Sequence, residues 1–87
     1  MNVVILYHPN SEHDTAVHNY ARDFERQVGK RLELVDARTK DSVELARVHD
    51  IMRFPAILVT EEDGGFVQAW TDMESWPTYS ELSYYTQ

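Results

Sequence analysis

The chain has 87 residues, with 8 basic side chains against 15 acidic ones and no cysteine. This length fits one domain over residues 1–87, because a chain this short buries too little surface for two cores. The lack of cysteine excludes disulfides, thiolate nucleophiles, iron–sulfur clusters and cysteine-based zinc sites. The net charge of -7, with no basic run longer than Lys30-Arg31, argues against nucleic acid and membrane partners, because phosphate binding needs clustered cations.

No targeting signal is expected from the N-terminal residues. Met1 to Tyr7 lacks both a basic leader and an apolar stretch long enough for a signal peptide or a membrane span. A cytoplasmic location is therefore expected.

The first half of the chain predicts two parallel strands joined by a long helix. Val3–Tyr7 is a continuous apolar run, typical of a central strand buried on both faces. Ser11 and Asp14 have the spacing of a capping box, which predicts the helix start, and Gly29 predicts its end. Leu32–Asp36 alternates as an edge strand does, and a strand, helix and strand in succession favour parallel pairing. The predicted inward face of the helix carries Val17, Tyr20, Ala21, Phe24 and Val28.

A second helix and a third strand follow. Asp41 and Glu44 repeat the capping-box spacing and predict a short helix to about Asp50, with Leu45, Ala46 and one of Val48 or His49 inward. Pro55 precedes the apolar run Ala56–Thr60, and proline is tolerated at the start of a strand because it cannot donate to the ladder.

The last third predicts a hairpin and a short helix. Asp63-Gly64-Gly65 is a strong turn signal, so Phe66–Trp70 is expected to return antiparallel. The final helix begins either at Pro77, as a first-turn proline, or at the capping box that Thr78 opens. The predicted fold is therefore α/β, in the order β-α-β-α-β-β-α, with a four-stranded mixed sheet and helices on both faces.

This order, with a proline before the third strand, resembles the thioredoxin-like superfamily in its glutaredoxin-sized form. That family places a proline and a Cys-x-x-Cys turn between the first strand and the helix, where this chain has Pro9 and Ser11-Glu12-His13-Asp14. The resemblance therefore implies the architecture without thiol–disulfide chemistry, because neither a hydroxyl nor a carboxylate replaces a thiolate. It also implies a cis Phe54-Pro55 bond, which leaves the Phe54 backbone free to pair with an extended peptide.

The resulting hypothesis is a redox-inactive domain, not an enzyme, that binds a protein or peptide without a cofactor. Two alternatives stay open. One is a glutathione- or thiol-recognising enzyme that uses Ser11 as a donor to a thiolate. The other is a cysteine-free regulatory or assembly protein similar to the circadian-clock KaiB-type proteins, whose second half is similar to Leu34–Asp36 and Phe54–Leu58. The predicted binding residues are Ser11, Glu12, His13, Asp14, Arg53, Phe54 and Pro55.

Two further groups of side chains have alternative interpretations. His8, His13 and His18 with Asp14 suggest a metal site, but residues five apart on a helix point roughly 140° away from each other. Exposed histidines and no metal site are therefore predicted. The aromatic side chains of the last quarter either fill the core or, where exposed together, form an interface. They are Trp70, Trp76, Tyr79, Tyr84 and Tyr85.

Overall fold

In the computed structural model, which describes residues 1–87, the chain forms three helices and a four-stranded mixed sheet. The order of elements is the predicted one. The elements are β1 (Asn2–Tyr7), α1 (Asp14–Val28), β2 (Glu33–Asp36), α2 (Lys40–Val48), β3 (Ala56–Thr60), β4 (Phe66–Trp70) and α3 (Tyr79–Ser83), with single 3₁₀ turns at Met73–Ser75 and Tyr84–Thr86.

The strand order in the sheet is β2-β1-β3-β4, so β1 is central and β2 is an edge strand, as predicted. Strand β1 pairs in parallel with β2, where Tyr7 lies opposite Asp36. It pairs antiparallel with β3, where Leu6 lies opposite Ala56. The carboxyl ends of β1 and β2 therefore meet the amino end of β3 at one edge of the sheet. That edge, which is formed by strand ends and is here called the Phe54 edge, carries the segment Arg53-Phe54-Pro55.

Alternate residues of a strand face opposite sides of the sheet, so the apolar strands of this sheet need cover on both faces. Helices provide that cover. Ile57 belongs to the larger core, which α1 and α3 cover, whereas its neighbour Leu58 belongs to the smaller core under α2. No helix is long and apolar enough to cross a membrane. The buried residues of the larger core are Ile5, Val17, Phe24, Leu32, Ile57 and Leu82, and those of the smaller core are Ala46, Ile51, Ala56 and Leu58.

The aromatic residues of the last quarter mainly fill the larger core. Tyr20 joins them to α1, with its ring 4.9 Å from that of Trp76 and 5.0 Å from that of Tyr79. Its hydroxyl donates to the Pro77 carbonyl over 2.8 Å, and burial raises the pKa of Tyr20 far above its usual value. Tyr84 alone of the predicted aromatic group is exposed, at 65%. Core filling is thus the correct interpretation.

The predicted capping box at Ser11 and Asp14 is wrong. Helix α1 begins at Asp14, and its N-cap residue, His13, makes no side-chain capping bond. The Ser11 hydroxyl donates instead to the His8 carbonyl, and Asp14 Oδ2 accepts from the Asn10 N–H over 2.7 Å. Asn10 has a φ of 65°, which no right-handed helix accommodates, and both side chains stabilise the turn around it.

Of the remaining helix ends, the predicted start of α2 is wrong, whereas the end of α1 and one of the two predicted starts of α3 are correct. Thr39, not Asp41, caps α2, because Thr39 Oγ1 accepts from the Ser42 N–H. This helix ends before Asp50, whose φ of 56° is left-handed. Thr78 caps α3 through the Glu81 N–H, which selects the second of the two predicted starts. Gly29 ends α1 at a φ of 81°, as predicted.

Candidate binding surface at the carboxyl end of the parallel strands

The turn between β1 and α1 is held by side chains that bond back to its backbone. The His8 N–H donates to His13 Nε2 over 3.1 Å, and Ser11 bonds to the His8 carbonyl. Both backbone groups of His8 are therefore fixed by side chains of the turn that leads into α1. Within the predicted binding segment Ser11-Glu12-His13-Asp14, the side chains of Ser11 and His13 therefore position His8.

His8 is the residue that connects this turn to the proline segment. Its ring packs edge-on against the ring of Phe54, with centroids 5.0 Å apart and an interplanar angle of 76°. The centroid of the His13 ring lies 6.0 Å from that of the His8 ring. The structure therefore brings the two predicted binding segments together through His8, which sequence reasoning did not place in the site. Its position directly after β1 was the available signal.

The backbone of residues 52–55 is free of internal hydrogen bonds. No backbone or side-chain group of the protein bonds to the N–H or C=O groups of Met52, Arg53 or Phe54. The Phe54-Pro55 peptide bond is cis, the isomer expected from the resemblance. Because backbone polar groups are almost always paired, the donors and acceptors of this segment are left for water or for another molecule.

Phe54 separates two surface depressions. On one side, Arg53, Phe54 and Pro55 border a depression of about 440 Å³ that continues over the loop after β4. On the other side is a groove of about 470 Å³ between this segment and α2, here called the α2 groove. Its apolar residues are Ala37, Val43, Ala46, Ile51, Met52 and Phe54, and its polar residues are His8, Arg38 and Arg47.

The predicted site residues fall into two groups around these depressions. Arg53, Phe54 and Pro55 line one or both of them. The segment 11–14 lines neither and acts through His8. The residues that sequence reasoning missed lie on α2 and the loops beside it. Val43 carried a usable signal, since it is an apolar residue outside the predicted inward face of α2.

The histidines of this region do not converge. His18 Nε2 lies 3.1 Å from Asp14 Oδ1 and 3.4 Å from the Tyr7 hydroxyl. His13 faces the other way, toward the His8 N–H. No three histidine or carboxylate side chains are grouped so that they could hold one metal ion.

His13 makes the turn sensitive to pH. Burial, and secondarily the nearby His8, lower the pKa of His13 below 6.5. Because its Nε2 must be unprotonated to accept the His8 N–H, the bond is present above pH 6.5 and is lost as the pH falls through the lowered pKa.

We expect the His13 ring in folded protein to titrate at lower pH than in urea-unfolded protein, as measured by proton NMR. The His8 amide resonance should show a transition with the same midpoint, and this transition should be absent in His13→Gln. A His8 amide that is insensitive to His13 would contradict the bond.

The end of β2 carries a bidentate ion pair that also borders the α2 groove. Arg38 Nε donates to Asp36 Oδ1 over 3.0 Å, and Arg38 Nη2 donates to Asp36 Oδ2 over 2.9 Å. Hydrogen bonds from the Arg38 side chain and backbone lower the pKa of Asp36 to about 2. The ionised pair therefore holds the Arg38 guanidinium in one orientation at the groove.

Acid should weaken folding through Asp36. Since its folded pKa of about 2 lies below the usual 3.8, its contribution is complete above pH 3.8 and disappears as the pH falls toward 2. Urea midpoints of wild type and Asp36→Asn should differ at pH 6 and converge near pH 2. A constant difference across this range would show that the ion pair does not cause it.

Comparison of the chain with models of protein families, with curated proteins and with solved structures gives no match.

Proposed function

We propose that this chain is a redox-inactive, thioredoxin-like domain that binds an extended segment of a protein or peptide at the Phe54 edge. The succession of elements and the mixed sheet support the thioredoxin-like assignment. Ser11 and Asp14 occupy the positions of that family's two cysteines, so the domain lacks the thiolate on which its redox chemistry depends.

The unbonded backbone of residues 52–54 is the observation that carries this proposal. These groups lie at the edge where three strands begin or end, and Phe54 is held there by its contact with His8. An extended peptide that bonds to this backbone gains affinity from its main chain, and the two adjacent depressions receive its side chains.

The enzyme alternative has weaker support. A serine that stabilises a bound thiolate must direct its hydroxyl hydrogen toward the ligand. The Ser11 hydroxyl donates instead to the His8 carbonyl, within the turn that it stabilises. Recognition of a thiolate at Ser11 would therefore remove a bond on which the site's own geometry depends.

Selection of binders from a library of random short peptides, followed by amide NMR titration, tests the binding site. We expect the largest shifts at residues 52–54, at Ala56 and at His8. Because a central aromatic contact residue typically contributes about 2 kcal/mol or more, Phe54→Ala should weaken the selected peptides by about thirtyfold.

Phe66→Ala is the matched control, because Phe66 is an exposed phenylalanine that follows the hairpin turn rather than the proline segment. It should leave peptide affinity unchanged within about twofold. Circular dichroism establishes that both variants are folded. Equal losses in the two variants, or shifts confined to another surface, would reject the Phe54 edge as the binding site.

A further inference from the structure

We infer that the α2 groove receives a peptide segment in which large apolar side chains are flanked by carboxylates. This inference rests on the proposed function and specifies the chemistry of the partner. It comes from the contrast between the groove and the rest of the surface, from the free donors of two arginines, and from the exposure of the apolar residues beside them.

The residues that line the groove differ in charge from the rest of the chain, and the carboxylates that pair with its arginines lie outside the lining. The whole chain has 15 acidic and 8 basic residues, yet the groove is lined by Arg38, Arg47 and His8 and by no acidic residue. Arg53, which forms no ion pair within the chain, lies at the neighbouring depression. Because Asp36 and Glu44 already balance the charges of the two groove arginines, an acidic segment meets little net repulsion here, in contrast to much of the remaining surface.

Both groove arginines are oriented and retain free donors. Arg38 uses Nε and Nη2 to bind Asp36, and Arg47 uses the same two nitrogens to bind Glu44. The Nη1 group of each guanidinium has no partner in the protein, so it can donate to a further carboxylate. Since Asp36 and Glu44 already fix the two side chains, a ligand that binds them loses less side-chain entropy.

The floor and rim of the groove supply apolar contact. Ala46 and Ile51 are buried at its base, whereas Val43 is 56% exposed and Met52 is 84% exposed at its rim. The flexible thioether of Met52 suits a rim that adapts to different apolar side chains. A volume of about 470 Å³ is sufficient for one or two such side chains.

Three synthetic peptides test this charge preference. They share one apolar core and differ only in the flanking residues, which are aspartate, serine or lysine. In fluorescence anisotropy, the aspartate peptide should bind about tenfold tighter than the serine peptide, and the lysine peptide should bind weakest. Raising the salt concentration should reduce the difference, because exposed charges are screened. Amide shifts should include Val43 and Met52.

Arginine variants locate the effect. Arg38→Gln and Arg47→Gln should each remove most of the preference for aspartate over serine. Arg26→Gln is the matched control, because it makes the same charge change on α1, where Arg26 lies 3.9 Å from Asp23 and outside the groove. An equal loss in the control would show that net charge, not the groove, determines the preference.

The outcomes separate the two proposals. If all three peptides shift residues 52–56 with equal affinity, the charge preference is wrong and binding at the Phe54 edge stands. If none of the three peptides binds while the library-selected peptides still shift residues 52–56, the acidic-flanked segment is rejected and binding at the Phe54 edge stands; if the selected peptides also fail to shift that edge, both proposals are rejected. Sedimentation that shows a dimer, with Val43 and Met52 protected in it, would identify a second copy as the occupant and overturn the acidic partner.

Discussion

Replacing Phe24 with alanine is expected to lower the free energy of unfolding by about 3 to 5 kcal/mol. Phe24 is the largest fully buried side chain of the protein. Its ring packs edge-on against that of Tyr79, with the two ring centroids 6.1 Å apart. Its removal leaves a cavity where α1, the sheet and α3 meet. At roughly 0.05 to 0.15 kcal/mol per residue, the loss is a large part of the stability of a domain this size.

Urea unfolding followed by tryptophan fluorescence measures this loss, because Trp70 and Trp76 are half-buried against the same core. Phe66→Ala provides the comparison, since Phe66 is 55% exposed and its removal should change the free energy of unfolding by about 0.5 kcal/mol or less. A loss below 1 kcal/mol for Phe24→Ala would mean that the larger core does not dominate folding.

The elements with strong hydrophobic periodicity were predictable. The inward face of α1 was correct because an amphipathic helix has only one way to bury an apolar stripe. Strand β1 was recognised as central because a run without polar alternation requires cover on both faces. Gly29 and Thr78 were correct because each satisfies a local backbone need at a helix end.

The helix starts at Ser11 and Asp41 were wrong for a common reason. A serine or aspartate followed by an acid fits a capping box, but the pattern does not specify the backbone that leads into it. Asn10, with its left-handed φ, delays the first helix, and Thr39 supplies the cap of the second before Asp41 is reached. Several polar residues competed for each cap, and the geometry of the preceding turn decided between them.

The candidate site was predictable where it depends on local chain geometry. Pro55 identifies a strand boundary from sequence alone, because proline lacks a backbone donor. The α2 groove depends on the placement of an outward-facing residue of α2, Val43, beside the loop that carries Met52. That placement follows from how α2 packs on Ala56 and Leu58, a long-range contact that periodicity does not encode.

Replacing Leu82 with alanine is expected to lower the free energy of unfolding by about 2 to 5 kcal/mol. Leu82 is the one fully buried residue of α3, a helix of 5 residues. So short a helix does not form by itself in water, because the conformational entropy lost in forming the first turn exceeds the stabilisation from its few hydrogen bonds. Its structure therefore depends on docking to the larger core, which Leu82 shares with Phe24 and Ile57.

Amide hydrogen exchange distinguishes loss of docking from general destabilisation. In Leu82→Ala, exchange should accelerate most at residues 79–86, because the Thr78 cap without buried contact does not hold the helix. Tyr84→Ala changes an exposed residue directly after the same helix and should leave exchange in α1 and the sheet unchanged. Uniform acceleration across the chain in Leu82→Ala would show instead that α3 and the sheet unfold as one unit.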